Sequence, residues 1–147
     1  MRKQQNDYYS EFGYYIHRVA SLLDKRGDEQ FRSRFGISLR QFLLLRLVEA
    51  ADGAPSQQLI AERLGIAKSA VSRHVDIAKQ KSWIEVRTSG VSRRENELEL
   101  TATGKQLLVS CKKFIKTSEQ EGFGALPDAD IEATLRTLRA LHAKLSS

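Results

Sequence analysis

Eight basic side chains crowd one stretch of this chain, Ser56 to Arg94: Arg63, Lys68, Arg73, Lys79, Lys81, Arg87, Arg93 and Arg94. Three acids, Glu62, Asp76 and Glu85, share it, a net of +5, whereas the remaining 16 bases and 15 acids nearly cancel. Guanidinium and ammonium groups neutralise phosphate, and Arg with short hydroxyls such as Ser69 and Ser72 also reaches the edges of bases. A solvated surface needs charges of both signs but not their segregation. A random basic excess is the bland alternative, and a motif at the same place decides against it.

No comparable constellation serves catalysis. G-x-S-x-G, G-x-x-x-x-G-K and H-E-x-x-H are all missing. His17, His74 and His142 fall on three separate predicted helices, with no H-x₃-H pair and no second cysteine, so no metal, cofactor or enzyme activity is expected. His74 could donate to a phosphate or pack behind its helix; both readings stay open. Cys111, the single cysteine, excludes an internal disulfide. A redox role would need an exposed thiol of lowered pKa, and a lone helical cysteine is more often a small packed apolar residue.

The elements that must position the basic stretch follow from periodicity. Tyr8, Phe12, Tyr15, Val19 and Leu22 recur at steps of four and three, with Ile16 and Leu23 widening the stripe, so residues 8–26 read as a helix. Gly27 could end or bend it, and Phe31 and Phe35 could carry it on to Gly36. Ser38 and Gln41 have capping-box spacing, with Ile37 able to staple onto Phe42, and the apolar run 42–48 makes a buried helix ending near Asp52-Gly53. Pro55-Ser56 opens a third helix and Gly65 stops it; a fourth runs from about Lys68 to Lys81 with Val71, Val75 and Ala78 inward.

The period then falls to two. Ile84 and Val86, and later Leu98 and Leu100, alternate with charged residues as two half-buried strands, joined by a loop around Ser89-Gly90. Thr101 opens a fifth helix to about Glu119, Gly122-Phe123-Gly124 breaks the chain, and Pro127-Asp128 begins a last helix. Its Ile131, Leu135, Leu138 and Leu145 repeat like a coiled-coil seam.

From Gln58 to Arg73 the chain has helix-turn-helix spacing. Ala61 lets two helices approach, Gly65 makes the tight turn, and Ile66 and Val71 plug the corner. The second helix then presents Lys68, Ser69, Ser72 and Arg73 at its N-terminal, outward end, the end that enters a major groove. A plain helical hairpin would also want the glycine and the apolar corners; the polar, basic outer face favours DNA. The turn Thr88-Ser89-Gly90-Val91-Ser92-Arg93-Arg94 holds no acid, so the hairpin reads as a wing able to lay arginine along a minor groove.

These residues resemble the MarR family of winged-helix regulators. The resemblance spans nearly the whole chain and is sharpest from Leu59 to Gly104: Leu59–Ile66, Lys68–Asp76, the pair Arg93-Arg94, and Leu98-Glu99-Leu100-Thr101-Ala102-Thr103-Gly104. It implies a mostly α fold with a small β-hairpin wing: a winged helix-turn-helix lobe at 38–101 within one domain of 1–147, and dimerisation helices at 8–35 and 102–147. The family implies a homodimer joined by the first and last helices, in agreement with the seams Tyr8, Phe12, Tyr15, Val19 and Ile131, Leu135, Leu138, Leu145, with His142 beside the latter. It also implies that Arg94 is the minor-groove arginine.

The chain departs from the family pattern four times. Ala67 replaces the usual small polar cap, Ser92 the acid before the wing arginines, Ala78 a late leucine, and Ser82-Trp83 the usual Gly-Leu.

Together these features predict a sequence-specific double-stranded DNA-binding transcriptional regulator, expected to be a ligand-responsive repressor acting as a homodimer on a pseudo-palindromic operator. The candidate contacts are Ser56, Lys68, Ser69, Ser72, Arg73, Arg93 and Arg94. The family resemblance implies a small-molecule effector, often an aromatic acid or phenol, for which Tyr14, Tyr15 or Arg18 could line a pocket. A winged-helix module that binds protein instead would want apolar or acidic residues on the outer face of 68–79, and these are mostly missing. No apolar run of about 18 residues is present. With a polar start at Met1–Asp7 and a lone cysteine, the chain is expected in the cytoplasm, without a membrane partner.

Overall fold

A computed structural model describes residues 2–88, 90 and 96–147, with 2–6 and 96 described by their backbone. The chain divides into two compact units, Met1–Cys111 and Lys112–Ser147.

In the first unit, α1 (Arg2–Phe35) is one continuous helix. It starts before the predicted residue 8 and passes through Gly27, where a methyl group would meet only the Leu39 side chain at van der Waals distance. It stops at Gly36, whose φ of 65° is left-handed. The predicted capping box opens α2 (Leu39–Ala50): the Gln41 amide donates to Ser38 Oγ at 3.1 Å, and the Ser38 amide donates to Gln41 Oε1 at 2.9 Å. Two of the four orphan N–H groups of that helix end are thereby satisfied. Asp28 of α1 accepts the Leu39 amide at 2.9 Å and the Arg32 Nε–H at 2.6 Å, tying the two helices at their junction.

Helix α3 (Gln57–Leu64) is capped by Ser56, whose Oγ accepts from the Leu59 amide at 3.2 Å. It ends on Gly65, left-handed at φ 63°, and Ile66 N–H returns to Ala61 O, so the turn into α4 (Lys68–Gln80) is closed by the backbone itself. The antiparallel strands β1 (Ile84–Thr88) and β2 (Asn96–Leu100) pair Ile84 with Leu100 and Val86 with Leu98. The segment before α3 joins them: Leu98 N–H donates to Pro55 O at 3.0 Å, and Ser56 bridges Glu97. Helix α3 is thus anchored to the hairpin as well as to α4.

The core of this unit is where the sequence pattern puts it. Ile37, Leu44, Leu45, Ile60, Val71, Val75, Leu98 and Leu108 are fully buried, and Phe31 stacks on Phe42 with ring centroids 4.8 Å apart. Helix α5 (Ala102–Phe123) contributes Gly104, Leu108 and Cys111.

In the second unit, α5 runs to Phe123, one turn beyond the predicted end. After the turn at Gly124–Pro127, α6 (Asp128–Leu145) begins. It carries Asp128 and Asp130 in its first turn and His142 and Lys144 in its last, each matched to the helix dipole. None of its side chains is buried.

Candidate nucleic-acid interface

Helix α4 has one dry face and one wet one. Val71, Val75 and Ala78 are buried, and by the 100° step of an α-helix the opposite face carries Ser69, Arg73, Asp76 and Gln80, flanked by Lys68 and Ser72. Lys68, Ser69 and Arg73 are exposed and Ser72 is half-buried, so the structure brings these four predicted residues together at the first turns of one helix. Asp76, one of the three acids counted within the basic stretch, is exposed on the same face. The N-terminus of α4 is uncapped: Ala67 supplies no side-chain hydrogen bond. Its free N–H groups and partial positive charge therefore lie beside Lys68 and Ser69.

Ser56 is half-buried and its oxygen is committed to the Leu59 amide. It positions α3 and retains its hydroxyl hydrogen and one lone pair for a further partner. Arg93 and Arg94, with Ser92, lie outside the described residues. The body of the hairpin is described and is not basic. Arg87 donates to Glu99 at 2.9 Å and lies 3.7 Å from Glu85, so its charge is already engaged. Among the described residues the hairpin therefore carries no unpaired base.

The exit from α4 is built by residues of the Leu98–Gly104 motif. Ser82 is left-handed at φ 57°, a conformation that favours glycine. Thr101 Oγ1 donates to Ser82 O at 2.5 Å, Thr101 N–H donates to Trp83 O at 3.1 Å, and Thr101 Oγ1 accepts the Gly104 amide at 3.0 Å. Gly104 lies so close to the Trp83 carbonyl that any Cβ there would overlap it. The threonine and the glycine are therefore needed by the packing of α5 against the start of the hairpin.

Two titratable groups are perturbed near the core. His74 is half-buried, with Nδ1 sealed from solvent and without a hydrogen-bond partner among the described residues. Burial first, then the charges of Arg40, Arg73 and Arg32, hold its pKa below 6.5. Cys111 is fully buried, and burial pushes its thiol up to about 11, leaving almost no thiolate at neutral pH. It packs as a small apolar residue. Among the described residues no group of His, Cys, Asp and Glu could hold a metal ion, and no helix is long and apolar enough to cross a membrane.

Both predicted seams are uncovered in the single chain. Phe12, Val19, Tyr15 and Tyr8 of α1 are 41–69% exposed, and on α6 Leu135, Leu138 and Leu145 are exposed while Ile131 is half-buried. Tyr14 and Tyr15 meet edge to face at 5.3 Å, but both remain largely open to solvent.

A family model described as the MarR family matches residues 35–95. No curated protein matches the chain. Solved structures are similar over almost the full length. A MarR/EmrR family transcriptional regulator from Acinetobacter sp. ADP1 is 24% identical, with a TM-score of 0.77, covering 93% of this chain and 96% of its own. FabT of Streptococcus pneumoniae, solved in complex with DNA, is 20% identical with a TM-score of 0.79, over 94% and 97%. CouR of Rhodococcus jostii RHA1, solved bound to p-coumaroyl-CoA, is 18% identical with a TM-score of 0.73, over 88% and 90%. At these identities the likeness to solved structures is one of fold.

Proposed function

We propose, on the premise that residues 35–95 make this chain a member of the MarR family, that it is a transcriptional regulator binding double-stranded DNA through the outer face of α4 and the tip of the hairpin. One observation carries this reading: Lys68, Ser69 and Arg73 stand exposed at the uncapped start of a helix whose other face is locked into the core. A rigid helix presenting cations and hydroxyls at its N-terminal end is the geometry that enters a major groove. Arg73 and Lys68 supply phosphate or base contacts, Ser69 and Ser72 short-range selection, Ser56 a hydroxyl at the head of α3, and Arg93 and Arg94 the minor-groove arm. FabT, of the same fold, was solved on DNA, which supports the reading.

The active form is a homodimer. The uncovered apolar residues of α1 and of α6 are surfaces that a second copy would cover, with Tyr8, Phe12, Tyr15 and Val19 on the first helix and Ile131, Leu135, Leu138 and Leu145 on the last. Two copies of α4 about one helical turn apart (~34 Å) would read a pseudo-palindrome. The reading extends to a cytoplasmic repressor released by a small-molecule effector, as the ligand-bound CouR structure suggests for this fold.

Selection of bound duplexes from a random-sequence pool tests the proposal. Enriched sequences should contain inverted half-sites spaced by about one turn. A pool that enriches nothing, or enriches a single asymmetric element, counts against it.

A further inference from the structure

Asp28 belongs to none of the contacts assigned to DNA, yet it bridges the joint between the arm of α1 and the helices that carry α4. From Asp7 to Arg26 no residue of α1 is buried in the single chain, whereas Phe31 is buried and stacks on Phe42 of α2 with centroids 4.8 Å apart. The helix is therefore an arm rooted on α2 by its last turns. Only Gly36, Ile37 and Ser38 separate the two helices, and Gly36 is left-handed at φ 65° with open space about it. Stacked rings hold such a root together without fixing its angle, because apolar burial is non-directional. A hydrogen bond has direction. Asp28 Oδ2 accepts the Arg32 Nε–H of its own helix at 2.6 Å, and Oδ1 accepts the Leu39 N–H at 2.9 Å. Leu39 is the first residue of α2, where the amide has no partner within the helix and the dipole favours an anion. Arg32 first, then the Leu39 amide, hold the carboxyl below its ordinary value against the opposing effect of burial, so it is charged at neutral pH.

We propose that Asp28 is a positioning residue for operator choice: by bonding Arg32 and the Leu39 amide at once, it fixes the angle between α1 and α2 and so sets the half-site separation that the dimer accepts. The inference rests on the reading of the chain as a DNA-binding homodimer joined in part through α1. Leverage makes the joint matter. Tyr8 lies 20 positions before Asp28 on the same helix, about 30 Å along its axis. A swing of about 10° at the root displaces that end by about 5 Å, more than the ~3.4 Å rise of one base pair. Loosening the joint therefore blurs the spacing of two recognition helices while leaving each one intact.

Fluorescence anisotropy of the full chain tests this on a duplex selected from a random pool and on the same duplex with one base pair added or removed between its half-sites. The wild type should lose roughly tenfold or more in affinity on the altered duplexes, the order of a mismatched base pair. In Asp28→Ala the loss should shrink to about threefold or less, with binding to a single half-site equal to that of the wild type. Lys25→Ala, whose partner Glu29 lies on α1 itself, should keep the wild-type discrimination. If Asp28→Ala fails to fold, Arg32→Ala frees the carboxylate on one side and should give an intermediate loss. A merely structural role for Asp28 would lower Tm and leave the ratio between duplexes unchanged. That unchanged ratio in Asp28→Ala, or in Arg32→Ala where it stands in, overturns the proposal and leaves duplex binding standing; so does an equal change in Lys25→Ala. A wild type that binds no duplex, or is indifferent to the spacing, removes the dimeric DNA reading itself.

Discussion

The two turns that flank α4 solve the same backbone problem with different residues. Entry to the helix passes through Gly65 at φ 63°, and exit passes through Ser82 at φ 57°. At entry the left-handed residue is a glycine and carries no steric penalty, but the helix that follows has no side-chain cap. At exit a serine occupies a conformation costing L-residues roughly 1–2 kcal/mol. That conformation is held by Ser82 N–H to Lys79 O, Trp83 N–H to Ala78 O, and Thr101 Oγ1 to Ser82 O. The start of α4 is thus set locally and left open, while its end is imposed by the packing of the hairpin and α5. Under the proposed function, an open start suits a surface that would receive a polyanion, and a clamped end would keep that surface oriented.

Substitutions at these turns would sharpen or break the contrast. The largest effect is expected at Gly104, where alanine must displace the Trp83 carbonyl; urea denaturation should show a loss of about 3 kcal/mol. Tolerance of Gly104→Ala would mean that the exit is not clamped as described. Gly65→Ala should cost about 1–2 kcal/mol, because only the backbone conformation opposes it. Ala67→Ser should stabilise by about 1 kcal/mol by capping α4, read as a rise in Tm.

Ser82→Gly is expected to gain somewhat less than about 1 kcal/mol, since released strain is partly offset by greater chain entropy in the unfolded state. If Ser82→Gly destabilised instead, the strain argument would fail. The smallest effect is a pH dependence of folding. His74 titrates below 6.5 in the folded protein, so the unfolded chain binds the extra proton first, and stability is full above 6.5 and declines as pH falls through it. Denaturation midpoints of His74→Gln should show a weaker acid decline than the wild type.

Much of this fold was legible because its periodicities are long and its caps are made of side chains. Ser38 with Gln41, Ser56, Gly65 and the inward triplet Val71, Val75, Ala78 all occupy the predicted positions. The hairpin appeared as a change of period from 3.6 to 2, and its register pairs the predicted apolar residues. What failed was punctuation. Gly27 did not interrupt α1, because one glycine inside a long helix costs only about 1 kcal/mol and Leu39 packs nearby. The reach of α5 to Phe123 was likewise missed, since no cap residue marks Glu119.

The placing of Lys68, Ser69, Ser72 and Arg73 together at the start of one helix was legible from spacing alone, whereas the effect of Arg40 on His74 was not. Arg40 lies 33 positions before Arg73 in sequence, and only the packing of helices makes it act on His74. The engagement of Arg87 by Glu99 was also invisible, because it links positions on a diagonal of two strands whose pairing must first be known. Charge counting credited that arginine to the basic surface; its ion pairs remove it.

The salt dependence of duplex binding by the Arg73→Ala, Arg94→Ala double variant bears most directly on the central reading. If both arginines meet phosphates, the slope of log affinity against log salt should fall by about two units relative to the wild type, with folding unchanged by circular dichroism. Equal slope and equal affinity in the two proteins would contradict the assignment of α4 and the hairpin tip as the surface that meets DNA.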